Sequence, residues 1–144
     1  MKTTSLHGTC VEVKGKGVLI TGNPGAGKSA LALQLMDRGA LFISDDQTVL
    51  SQETGEIVIQ APLALKGLME VRGVGICQFP CQEKSFLRLF VEICDSIDVE
   101  RLPEPSFVEY YGIRVPYLKI LKGDPLGAIK IELKVDIKDE PYTQ

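Results

Sequence analysis

Eight consecutive residues, Gly22-Asn23-Pro24-Gly25-Ala26-Gly27-Lys28-Ser29, have the spacing glycine, four residues, then Gly-Lys-Ser. Glycines in that arrangement let the backbone curl until successive N–H groups point into one concavity. With the positive end of a following helix, such a concavity binds anionic phosphates. The Lys28 ammonium would lie on those phosphates, and the Ser29 hydroxyl, in the first helical turn, is placed to ligate Mg²⁺. A glycine-rich turn can match the pattern by chance, but here an apolar strand precedes it and a helical pattern follows, as the chemistry requires.

Phosphoryl transfer to a hydroxyl also needs metal ligands and a carboxylate near the nucleophile. Asp45 and Asp46 follow the apolar Leu41-Phe42-Ile43. At the C-terminal end of a parallel strand they would share an edge with the phosphates. Consecutive strand residues point to opposite faces, so the two should divide their roles. One would face the terminal phosphate; the other would hold the metal's water shell or a backbone group. In Met69-Glu70-Val71-Arg72-Gly73-Val74-Gly75-Ile76, two-residue spacing puts Glu70 and Arg72 on one face of an extended segment. That pair reads equally as a Mg²⁺ carboxylate with a phosphate-binding guanidinium, or as a surface salt bridge. His7, the one histidine, reads by itself as a capping or packing residue.

The elements that must position these groups follow from periodicity. Leu6 to Val13 alternates and meets Lys14-Gly15-Lys16-Gly17, a hairpin turn. Val18 to Thr21 is an apolar strand of the kind covered on both faces. From Ser29 a helical pattern (Ala30, Leu31, Leu33, Leu35, Met36) runs to a cap at Gly39, and a second buried strand follows at Leu41 to Ile43. This makes one βαβ unit with parallel strands. Beyond it the pattern is mostly β. A hairpin joins Thr48–Leu50 to Glu56–Ile59 through Thr54-Gly55, and Pro62 to Met69 reads as a short helix. Phe86 to Ile93 alternates, with Leu87, Leu89, Val91 and Ile93 on one face. Tyr117–Leu121 and Ala128–Val135 read as strands. Residues 1–138 are expected to form one domain, and the polar tail from Asp139 to Gln144 to fray.

Composition narrows the partners. The 144 residues carry 16 Lys and Arg against 19 Asp and Glu, a formal charge of −3, which argues against nucleic acid or an anionic membrane as main partner. Apolar runs fall well short of the roughly 20 residues of a membrane helix, and Met1 to Gly8 has no signal character, so a cytoplasmic location is expected. Cys10, Cys77, Cys81 and Cys94 have no zinc-type spacing and read as buried free thiols.

Taken together, His7-Gly8, the glycine loop, Asp45-Asp46 and Glu-Val-Arg-Gly-Val-Gly-Ile at 70–76 resemble the HPr kinase/phosphorylase catalytic domain, over roughly Leu6 to Val135. The resemblance implies an α/β fold with a mixed sheet around a phosphate loop, like that of phosphoenolpyruvate carboxykinases, with a β-rich C-terminal half. It implies a kinase that uses ATP and Mg²⁺ to phosphorylate a serine of HPr or a related phosphocarrier. It further implies that Lys28 contacts phosphate, that Ser29 and Glu70 hold Mg²⁺, and that Asp46 accepts the serine proton. His7 would tune Asp46, Asp45 and Arg72 would support, and Arg101 would match an active-site arginine. Residues 122–127 stand where that family carries an arginine-containing loop tied to the reverse, phosphorylase reaction. They hold no arginine, so weak or absent phosphorylase activity is expected. The chain reads as a short, single-domain form that can still form a homo-oligomer. Two other readings stay open: a kinase for a small molecule such as free serine or a sugar, and a non-catalytic nucleotide-binding regulatory module. No motif separates adenine from guanine.

Overall fold

Tight turns with two residues at positive φ set the first half of the chain. β1 (Thr3–His7) leads into β2 (Thr9–Val13), which folds back on β3 (Lys16–Gly22) through Lys14 and Gly15, at φ 54° and 79°. Both residues lie in the left-handed region that two-residue hairpins require. The hairpin turn is therefore shorter than the sequence suggests, with Lys16 and Gly17 already in β3. A Cβ at Gly17 would lie 2.5 Å from the Phe86 carbonyl oxygen, so glycine there permits close strand approach. These features come from a computed structural model that describes residues 2–95 and 99–137. The tail from Asp139 to Gln144 lies outside them.

After the glycine loop come α1 (Lys28–Asp37) and β4 (Leu41–Ser44). β5 (Gln47–Glu53) and β6 (Glu56–Gln60) form the expected hairpin around Thr54 and Gly55. The Pro62–Met69 stretch is not one helix. A single 3-10 turn, Leu63–Leu65, gives way to β7 (Leu68–Val71), which pairs with β8 (Gly75–Gln78) in a separate two-stranded sheet. Lys66 already has φ −59° and ψ 123°, which is extended backbone that ends the turn.

β9 (Lys84–Cys94) organises the main sheet. One edge pairs in parallel with β3. The other edge is shared, first with β6 and then with β11 (Ile113–Leu121), which also pairs with β10 (Phe107–Tyr110). The order in this nine-stranded sheet is β1-β5-β6-β9-β3-β2-β4, with β11 and β10 branching from β9. β3 and β4 run parallel, but β2 lies between them, antiparallel to both. The βαβ reading needs that correction: the crossover through α1 skips one strand.

Two apolar cores flank the sheet. Val11, Val18, Ile20, Leu89 and Val91 pack with Leu31 and Leu35 of α1, while Cys10, Leu19, Ile43, Leu50, Ile57 and Leu87 form the other cluster. Leu87, Leu89, Val91 and Ile93 are all buried, as their alternation predicts, yet Leu87 belongs to a different core from the other three. The register between β3 and β9 shifts between Gly17 and Val18, at this changeover. Residues 128–135, read as a strand, form a helix instead, α2 (Gly127–Val135). Ala128, Ile131 and Val135 are buried at three- and four-residue spacing, whereas Ile129 and Leu133 are left exposed. The second half is thus β-rich but closes on a helix. No helix among the described residues is long and apolar enough to cross a membrane.

Candidate functional site

The glycine loop leaves the end of β3 and returns as the first turn of α1. Ala26 N–H donates to the Asn23 carbonyl at 2.9 Å, curling the loop, and Gly27 stands at the helix N-cap with φ 99°. An L side chain at that φ is strained by roughly 1–2 kcal/mol. A Cβ there would meet nothing within 4 Å, so backbone conformation and not crowding calls for glycine. Lys28 Nζ folds back over the loop, donating to the carbonyls of Gly22 at 3.2 Å and Asn23 at 3.3 Å. The ammonium thus sits over the glycine loop.

Asp45 reaches this loop from the end of β4. Its Oδ1 accepts from Ser29 Oγ at 2.6 Å and from Thr9 Oγ1 at 3.1 Å. Thr9 Oγ1 in turn accepts from the Asp46 N–H at 3.2 Å. One fully buried hydroxyl therefore fixes both aspartates. Sequence reading missed Thr9. A threonine inside an alternating strand signals only that its hydroxyl needs a partner if buried. The partner lies 36 residues away and follows from the β2–β4 register, in which Cys10 faces Ser44.

Asp46 is exposed and lies beyond the end of β4, so the alternation expected of consecutive strand residues does not govern it. It is the centre of a three-residue turn: Gln47 N–H donates to the Asp45 carbonyl at 2.7 Å, and Asp46 has φ 67°. Ser44 Oγ also closes on the Gln47 carbonyl. Such turns are rare and strained for a non-glycine residue, and strain of this kind concentrates at functional sites. The Gly8 N–H donates to the Asp46 carbonyl at 3.0 Å, bringing the end of β1 alongside. His7 is next to this contact and exposed, but its imidazole makes no hydrogen bond or ion pair with Asp46.

Other expected residues are less assembled. Glu70 is exposed on β7, whose Met69 packs into the core beside α1. The one-face argument for Glu70 and Arg72 fails because the strand ends at Val71. Val74 N–H donates to the Val71 carbonyl, placing Arg72 in the turn. No salt bridge joins Glu70 and Arg72 among the described residues. Arg101 is exposed in the segment before β10. No three His, Cys, Asp or Glu side chains among the described residues cluster as a metal site. A Mg²⁺ that relied on its substrate for ligands fits that donor set, since Mg²⁺ commonly takes one or two carboxylates plus phosphates and waters. Ser29 and Asp45 bring one hydroxyl and one carboxylate together at 2.6 Å.

Cys10, Cys77 and Cys81 are free thiols; Cys10 alone is fully buried, and Cys77, Cys81 and Cys94 are half-buried. Burial pushes the Cys10 thiol up to about 12, against a smaller opposing effect of its bond with Thr48. Its thiolate is correspondingly disfavoured.

Comparison with known proteins bears on this geometry. The family described as HPr Serine kinase C-terminal domain matches residues 1–120. The HPr kinase/phosphorylase of Lactobacillus acidophilus is 49% identical over 76 residues, 52% of this chain and 24% of that protein. That of Clostridium tetani is 43% identical over 77 residues, 54% of this chain and 25% of that protein. The matched stretch thus spans about a quarter of these relatives. The solved Hpr(Ser) kinase/phosphatase from Coxiella burnetii superposes with a TM-score of 0.79 at 26% identity, covering 91% of this chain and 88% of that one. The expected sheet architecture is thereby shared with a solved relative, and the chain belongs to the HPr serine kinase C-terminal domain family.

Proposed function

We propose that this chain is the catalytic domain, residues 1–138, of a nucleotide-dependent serine kinase whose acceptor is HPr or a related phosphocarrier, acting in the cytoplasm. The single observation that carries the reading is the 2.6 Å bond from Ser29 to Asp45, which joins the glycine loop to the acidic turn. Free thiols at Cys10, Cys77 and Cys81 suit a reducing compartment.

In this reading the amides of residues 22–29 and the Lys28 ammonium hold the phosphates of ATP. Ser29, with carboxylates drawn from Asp45 and Glu70, would hold Mg²⁺, which when bound neutralises charge on the transferring group. Asp46, exposed and held at an unusual φ, takes the proton from the acceptor serine. His7 flanks it, and Arg72 and Arg101 are cations for phosphate or acceptor. Catalysis on this scheme rests on positioning and charge cancellation, the usual case in phosphoryl transfer. Residues 122–127 offer one cation, Lys122, and no arginine for an attacking phosphate, so the phosphorylase direction is weak or absent.

The test is incubation with Mg-ATP and a purified phosphocarrier, followed by intact-mass analysis and mapping of the modified residue. One added phosphoryl group on a serine, lost with Lys28→Ala, is the expected result. Transfer by Lys28→Ala at the wild-type rate would overturn the assignment. Tight nucleotide binding without transfer to any acceptor would favour the regulatory-module reading.

A further inference from the structure

The hairpin of β7 and β8 has one covered face and one bare face. Met69 is fully buried in the core beside α1, and its cross-strand partner Cys77 is half-buried, so these two point inward. Alternation then turns Leu68, Glu70, Ile76 and Gln78 outward, and all four are exposed. Ile76 is 77% exposed, and Val74, in the turn between the strands, is 75% exposed. Leu68 and Ile76 are diagonal neighbours on this face. The hairpin is held at its base, where Phe79 N–H donates to the Gly67 carbonyl at 2.8 Å and Gln82 N–H to the Phe42 carbonyl at 2.7 Å. The second bond ties it to β4, the strand that leads into Asp45 and Asp46. The inner face is thus already packed, and the apolar outer face is left for something else to cover.

We propose that the outer face of this hairpin docks the protein that carries the acceptor serine, by seating an apolar patch that borders that serine. The inference rests on the serine-kinase reading and deepens it, because it makes the acceptor a folded protein and not a small molecule. Position is the first argument. Glu70 lies directly opposite Ile76, and side chains so paired have Cβ atoms roughly 4.5–5.5 Å apart. Whatever covers Ile76 therefore stands beside Glu70, the carboxylate assigned above to Mg²⁺. An acceptor hydroxyl has to come to the phosphoryl group that this metal neutralises. Free serine or a sugar would reach Glu70 and still leave Leu68 and Val74 bare, whereas a protein surface covers all of them.

Charge is the second argument. Lys66 and Arg72 stand at the two ends of β7, are exposed, and make no ion pair among the described residues. They call for a partner whose apolar patch is edged by carboxylates. α2 also has an apolar outer stripe, at Ile129 and Leu133, but none of the residues assigned to phosphoryl transfer lies on that helix.

The test is steady-state transfer from Mg-ATP to a purified HPr-type phosphocarrier at varied phosphocarrier concentration. Ile76→Thr keeps a β-branched residue in β8, Val74→Ser lies in the turn, and both side chains are outside the core. The double variant should raise the KM for phosphocarrier about tenfold, with kcat and the KM for ATP within about twofold of wild type, the pattern of lost binding. Val74→Ser alone should carry part of that rise and guards against a folding defect from the strand substitution. Leu133→Ser on α2 should leave all three parameters at wild-type values. An unchanged KM for phosphocarrier in the double variant would overturn the docking face and leave the kinase reading standing. A fall in kcat alone would make the face a support for Glu70 and also overturn docking. A wild-type oligomer that the double variant breaks up in light scattering would assign the face to a second copy of the chain, against the proposal. Absence of transfer by wild type to any phosphocarrier would overturn the kinase reading itself, and the docking face with it.

Discussion

Thr9 and Asp46 illustrate how much a single residue can carry here. Thr9 donates to Asp45 and accepts from Asp46, so its hydroxyl holds the acidic turn in one conformation. Thr9→Val keeps the shape and deletes both bonds. A positioning role predicts a fall in kcat of about tenfold with a smaller change in the KM for ATP, and recovery in Thr9→Ser. A purely structural role would lower stability in the valine variant without splitting kcat from KM. At Asp46 the φ of 67° makes an opposite pair of expectations. Asp46→Gly should relieve strain and leave the protein as stable or more stable by about 1 kcal/mol, while transfer falls by roughly 10²–10⁴-fold. Denaturant unfolding beside steady-state kinetics checks both, and a glycine variant that is markedly destabilised would remove the strain argument.

Among the elements, the sequence was most legible where turn chemistry and alternation agreed. The Thr54-Gly55 hairpin and β9 illustrate this, and the glycine loop stands between strand and helix as expected. α2 was not legible, because Ile129, Ile131, Leu133 and Val135 alternate as a strand would, while Ala128, Ile131 and Val135 satisfy a helix equally well. What decides is tertiary: Leu31 and Ile120 offer a close seat for Gly127, and the helical face fills it. The Glu70–Arg72 reading failed for a related reason, since two glycines turned the chain before alternation could extend. Asp124 anchors the start of α2, and the hydrogen bond from Lys130 followed by that from Leu126 N–H holds its carboxyl below the usual carboxylate range. A depressed native pKa adds stability that is present above the ordinary value of about 3.9 and lost as pH falls through the native value. Asp124→Asn should therefore narrow the stability difference from wild type on acidification toward pH 3, with at most about 1 kcal/mol at stake for a pair whose lysine is half exposed. A difference between the two proteins that does not shrink on acidification would show that the ion pair contributes nothing.

Across the whole molecule, the site is assembled by the sheet order and not by the local motif. β2, placed between β3 and β4, brings Thr9 beside Asp45, and β3 and β4 running parallel bring Ser29 and Asp45 to one edge. No single-sequence pattern states that a strand from before the loop is inserted there. Leu19 and Ile20, fully buried on opposite cores, fasten β3 to both layers, so the glycine loop grows from a strand anchored in both cores. A ligand gripped by that loop should then be felt globally. At a hundredfold excess over its Kd, Mg-ATP binding to the native state would stabilise it by about 2.7 kcal/mol. For a domain of this size that is a rise in Tm of roughly 10 °C. Lys28→Ala, folded as well as wild type because its ammonium bonds only loop carbonyls, should show little of that rise. Scanning calorimetry with and without Mg-ATP measures both, and an equal rise in the two proteins would place the nucleotide somewhere other than the glycine loop.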